Sequence, residues 1–135
     1  MGDRVNYGVR VSETSTPLYV YSQWGGSEAK ENLAGALLHA QSRLSMADYD
    51  YAMRIIVSRL VGSNWESETG FGLSVGDVGT ESDYRFHYMV NLTAGIVHMV
   101  HDDGSFHGGQ TVGEFVARYA SLQNVVTQYA GLDPL

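Results

Sequence analysis

The chain has 135 residues, 44% of them apolar, which is the size and composition of a single domain with a core of its own. Fifteen acidic residues stand against eight basic ones, for a formal charge of −7, which argues against electrostatic attachment to a nucleic acid polymer or an anionic membrane. Without cysteine there is no disulfide, thiolate chemistry or Cys-based zinc site, and without a signal-like N-terminus or a long apolar run the expectation is a soluble cytoplasmic protein.

Val5, Tyr7, Val9 and Val11 alternate with Asn6, Gly8, Arg10 and Ser12, which predicts a strand with one buried face. A polar turn, Glu13-Thr14-Ser15-Thr16-Pro17, leads into an aromatic stretch from Tyr19 to Trp24, predicted to pair with the first strand as an antiparallel hairpin. In this second strand Leu18, Val20, Ser22 and Trp24 fall on one face, and Tyr19, Tyr21 and Gln23 on the other. Gly25 and Gly26 then turn the chain into a helix, with Ser27 as its expected N-cap and Glu28 and Glu31 in its first turn. Leu33, Leu37, Ala40 and Leu44 extend that helix to about residue 44. Ser45 and Asp48 resemble a capping box opening a second helix, whose stripe is Tyr49, Ala52, Met53, Ile56 and Leu60 and whose stop is Gly62.

A polar loop from Gly62 to Thr69 precedes a short strand carrying Phe71, Leu73 and Val75. Gly76 to Asp83 reads as an acidic loop, and the alternation from Tyr84 to Leu92, followed by Ile96 to His101, predicts a hairpin ended by Asp102-Asp103-Gly104. Thr111 with Glu114 forms a capping box for a last helix, whose stripe is Phe115, Tyr119, Leu122 and Val126. The order ββααβββα predicts a single α+β domain, with a mainly antiparallel sheet and helices packed on one face.

Four short motifs, in order along the chain, carry a resemblance. Gly2-Asp3-Arg4-Val5-Asn6, Tyr21-Ser22-Gln23-Trp24-Gly25-Gly26, Tyr51-Ala52-Met53-Arg54-Ile55-Ile56 and Thr69-Gly70-Phe71-Gly72 resemble those of a family of small phage and bacterial proteins. In that family the second motif reads Tyr-x-His-Trp-Gly-Gly; here Gln23 replaces the histidine, which removes the best general acid/base candidate from the turn. The resemblance implies a phage or bacterial origin and transfers no activity.

The turn formed by Trp24, Gly25, Gly26 and Ser27 is the leading ligand-binding candidate. Free N–H groups at a helix start suit a phosphate or carboxylate, and the indole would supply a stacking wall. The alternative is that Trp24 belongs to the core and the glycines only turn the corner. Arg54, Arg4 and Asn6 are the candidates for charge and hydrogen bonding, against a structural role as ion-pair partners. Tyr21, with Tyr19, is expected on an open sheet face, as a ligand platform or an interface. His107-Gly108-Gly109 is a second glycine turn with the same logic. The histidines have no metal-site spacing, and no serine sits in a nucleophile elbow, so no catalytic residue, metal or cofactor is assigned. The expected function is that of a phage-type accessory protein. It would bind and sequester a small anionic, nucleotide-derived ligand, such as a host immune signal, and work as a homo-oligomer. Two alternatives stay open: a protein-binding inhibitor of a host enzyme, and a small hydrolase or transferase.

Overall fold

The computed structural model describes residues 4–76, 87–100 and 105–120. The first hairpin forms as the alternation requires. β1 (Val5–Arg10) and β2 (Leu18–Ser22) are antiparallel, with Tyr7 opposite Val20 and Asn6 opposite Tyr21. β3 (Phe71–Val75) joins the outer side of β2, and β4 (Tyr88–Asn91) lies on the other side of β1 and runs parallel to it. β5 (Ile96–Val100) and β6 (Phe106–Thr111) are added antiparallel, giving one six-stranded sheet in the order β3-β2-β1-β4-β5-β6. The chain is an α+β domain in which strands, helices, strands and a last helix succeed one another.

The described helices are α1 (Ala29–His39), α2 (Gln41–Ser45), α3 (Tyr49–Val61) and α4 (Val112–Tyr119). α1 contacts both α3 and α4. It is buried on more than one side, with Leu33, Ala34, Ala36 and Leu37 inaccessible to solvent. Its small residues let the neighbouring helices come close, and each fully buried Leu stabilises the fold by roughly 1.5–3 kcal/mol. Beneath it, Val5, Tyr7, Val9, Val20, Val90 and Val97 are buried in the same core. At the far side Tyr88 stacks on Tyr7 with ring centres 6.1 Å apart, and Phe115 of α4 meets the edge of Tyr88 at 6.5 Å.

Several details differ from the sequence expectation. The long first helix is two, because the chain leaves helical geometry at Ala40, where ψ is 3°. Ser45 does not open α3. Its hydroxyl donates back to the carbonyls of Gln41 and Ser42, and the chain turns through Ala47 at φ 57° before Asp48 precedes the helix. The glycine turn read at His107-Gly108-Gly109 is instead part of strand β6. Its glycines hide any pattern, and Gly109 leaves room for the ring of His98, whose Cε1 would lie 2.9 Å from an added Cβ. Tyr19 and Tyr21 are buried rather than exposed. Tyr19 packs over Gly8, where an added Cβ would come within 3.1 Å of its ring.

The capping box at Thr111 forms in full, with Glu114 N–H donating to the Thr111 hydroxyl and Thr111 N–H to the Glu114 carboxylate. The acidic loop beyond Gly76, Tyr84 to Phe86, the Asp102-Asp103-Gly104 turn and the stripe positions Leu122 and Val126 lie outside the described residues. Among the described residues no helix is long and apolar enough to cross a membrane.

Candidate functional site

β2 stops at Ser22, and three local interactions fix the path of the chain from there to Gly25. The Ser22 hydroxyl donates to the Trp24 carbonyl, the Gln23 N–H donates to the Gly70 carbonyl at 2.8 Å, and the indole lies directly against Gly70. Gly70 has φ +102°, and a Cβ there would stand 2.8 Å from Cζ3 of Trp24. Both conditions demand glycine. Trp24 is therefore held from behind yet remains 60% exposed, so it is a wall and not part of the core.

Gly25 takes φ 94° and turns the chain, as its place after the strand requires, but the next residues do not begin an α-helix. Gly26–Glu28 form a single 3-10 turn, and α1 opens at Ala29 with Glu28 in the cap position. Ser27 is consequently not the N-cap. The chain enters α1 through this one turn, with the Glu28 N–H donating to the Gly25 carbonyl at 3.0 Å.

In front of Trp24 and Gly25 lies an open cleft of about 930 Å³, lined by neither Gly26 nor Ser27. α3 supplies Arg54, Ser58 and Arg59 to it, α1 supplies Asn32 and His39, and β3 supplies Phe71. Arg54 is exposed, and its Nη1 donates to Ser58 Oγ at 3.2 Å. His39, in the last turn of α1, is held below the ordinary histidine pKa by burial and then by the positive charges of Arg59 and Arg54. Its Nδ1 is buried with no hydrogen-bond partner among the described residues. Glu28 is the one acidic side chain among the described residues lining the cleft.

Asn32 links the cleft to the core. Its side chain hydrogen-bonds to the hydroxyl of Tyr7, whose burial, reinforced by the charge of Tyr88 when ionised, keeps it protonated. The amide nitrogen of Asn32 would lie 3.3 Å from a Cβ at Gly25, a tight contact added to a backbone angle that already favours glycine.

The structure thus brings together Trp24, Gly25 and Arg54 of the sequence-predicted set. None of Arg4, Asn6 and Tyr21 lines the cleft. Asn6 and Tyr21 sit opposite each other on β1 and β2, out of phase with the core residues Tyr7 and Val20. There the Asn6 N–H donates to Nδ1 of His87 at 3.1 Å and the Tyr21 hydroxyl donates to Oε1 of Gln23. His107, Gly108 and Gly109 belong to β6, not to a helix-opening turn. Among the described residues no three His, Asp or Glu side chains are grouped to hold a metal.

Sequence reasoning missed Arg59, His39 and Asn32. Arginines in place of lysines, two of them on one helix of an acidic chain, were the signal for Arg59. For His39 and Asn32 no local signal exists, because their place depends on how α1 packs against α3.

The cleft offers guanidinium donors, neutral amides and hydroxyls, and aromatic walls at Trp24 and Phe71. Its volume suits a small molecule, and guanidinium groups suit a phosphate or carboxylate more than a neutral one. Comparison of the chain with protein-family models, curated proteins and solved structures finds no match.

Proposed function

We propose that this protein binds a small anionic, nucleotide-derived ligand in the cleft between Trp24 and α3 and holds it without turnover. The reading is supported by one observation above the others: Arg54, Arg59 and His39 converge on a cavity faced by an exposed indole, in a chain whose formal charge is −7. An anion there gains charge-assisted hydrogen bonds, and a base or other flat ring gains stacking. The wider setting, a phage-type accessory protein that sequesters a host immune signal, rests on the motif resemblance.

A fluorescence titration tests it. Trp24 and Trp65 are the two tryptophans, so a Trp65→Phe background reports Trp24 alone. Adenosine 5′-monophosphate (AMP) should quench that signal to saturation. Arg54→Ala or Arg59→Ala should each weaken binding by about 1.5–3 kcal/mol, on the order of ten- to a hundred-fold. Affinity unchanged in both folded variants would contradict the site.

On the same reading the protein acts as a homo-oligomer joined at β3. β3 is an edge strand without charge or proline, and Leu73 and Val75 are 59% and 72% exposed on the helix-bearing side of the sheet. Among the described residues nothing gives this edge the usual protection against pairing. Light scattering should give a multiple of 14.8 kDa, reduced to a single chain by Val75→Lys. A single-chain mass for the unmodified protein would contradict this.

A further inference from the structure

Both tryptophans of the chain stand in the open, although indoles are highly buried on average. Trp24 is 60% exposed and Trp65 73%. They come from separate parts of the chain, one just after β2 and the other just after α3, yet they stand at neighbouring cavities. Trp24 lines the cleft of about 930 Å³, and Trp65 lines a smaller cavity of about 150 Å³. Val61, Asn64 and Phe71 line both, so the two spaces adjoin at Phe71.

β3 sets the spacing of the two indoles. Trp24 lies against Gly70, just before the strand, and the smaller cavity reaches Gly72 and Leu73. At about 3.3 Å per residue, two to three residues place the aromatic platforms roughly 7–10 Å apart along the strand. Successive bases in a duplex strand rise by only about 3.4 Å. Rings resting on both platforms are therefore splayed apart, in the way unstacked nucleotides are taken up on aromatic side chains.

The two spaces also differ in chemistry. Arg54 and Ser58 line the cleft and not the smaller cavity. Among the described residues the lining of the smaller cavity carries no charge, and Asn64 and Ser67 give it an amide and a hydroxyl. A phosphate belongs with the guanidinium, and a neutral ring with a polar edge belongs beside Trp65.

Resting on the anion-binding reading, we propose that the occupant is a dinucleotide, with one base on Trp24, the linking phosphate at Arg54 and the second base on Trp65. Phe71 stands between the two bases. A mononucleotide has one base and leaves Trp65 uncovered.

The probe is adenylyl-(3′→5′)-adenosine (ApA), compared with AMP by calorimetric titration of the full chain. Trp65→Ala should weaken ApA binding by about five- to a hundred-fold, the effect of losing one stacked base, and leave AMP binding unchanged. Each ligand is compared with itself across the two proteins, so the difference in charge between ApA and AMP drops out. In a Trp24→Phe background Trp65 is the sole tryptophan, and saturating ApA should quench its emission while AMP should not. That emission decides the matter should Trp65→Ala fold poorly. ApA affinity unchanged by Trp65→Ala, AMP weakened as much as ApA, or Trp65 emission unmoved at saturating ApA overturns the inference and leaves the anion-binding reading in place. No binding of ApA, AMP or inorganic phosphate removes that reading and this inference with it.

Discussion

Gly70 shows how one residue sets the aromatic wall of the cleft. Its φ of +102° is strained for any L side chain, and the space where a Cβ would go is filled by the Trp24 indole. Gly70→Ala should cost more than about 1 kcal/mol in denaturant unfolding and also shift Trp24 emission, because the indole must move. Lost stability with unmoved emission would mean that Trp24 is held by something else. His39 gives a second expectation. Its pKa lies below the ordinary 6.5, so the folded state binds fewer protons than the unfolded chain. The stability tied to a neutral His39 is complete above about pH 6.5 and declines as pH falls through that value, the slope set by the difference in bound protons. His39→Gln should flatten this part of the urea-midpoint profile between pH 7.5 and 5.5. Parallel profiles for the two proteins would contradict the assignment.

At the scale of elements, the features legible in the sequence were local. The box of Thr111 and Glu114 spans four consecutive positions and needs nothing from the rest of the fold, so its spelling sufficed. Thr111→Ala should remove about 1 kcal/mol of stability, measured by chemical denaturation, with α4 loosened against β5; a loss near zero would mean that packing of Phe115 alone holds the helix. Ser45 and Asp48 have a similar spelling and a different outcome. Ser45 instead closes α2 by donating to the carbonyls of Gln41 and Ser42 behind it, while its neighbour Leu44 packs against the core. β6 was illegible for the opposite reason, since two glycines erase the alternation by which a strand is recognised.

At the scale of the molecule, the alternation of β1 and β2 revealed the sheet faces, and it already separated Asn6 and Tyr21 from the face of Val20. Grouping them with Trp24 ran against that period. What no local pattern contains is the juxtaposition of β2, α1, α3 and β3, which places Trp24, His39, Arg54 and Phe71 around one cavity from distant parts of the chain. The parallel pairing of β1 with β4 was equally hidden, because it depends on a crossover and not on a turn. The central claim is that this cavity is an anion site whose charge comes from α3. Calorimetric titration of AMP into the unmodified protein and into a folded Arg54→Ala/Arg59→Ala double variant tests it most directly. The account predicts saturable binding to the first and a loss of more than about a hundred-fold in the second; equal affinity in the two proteins would contradict it.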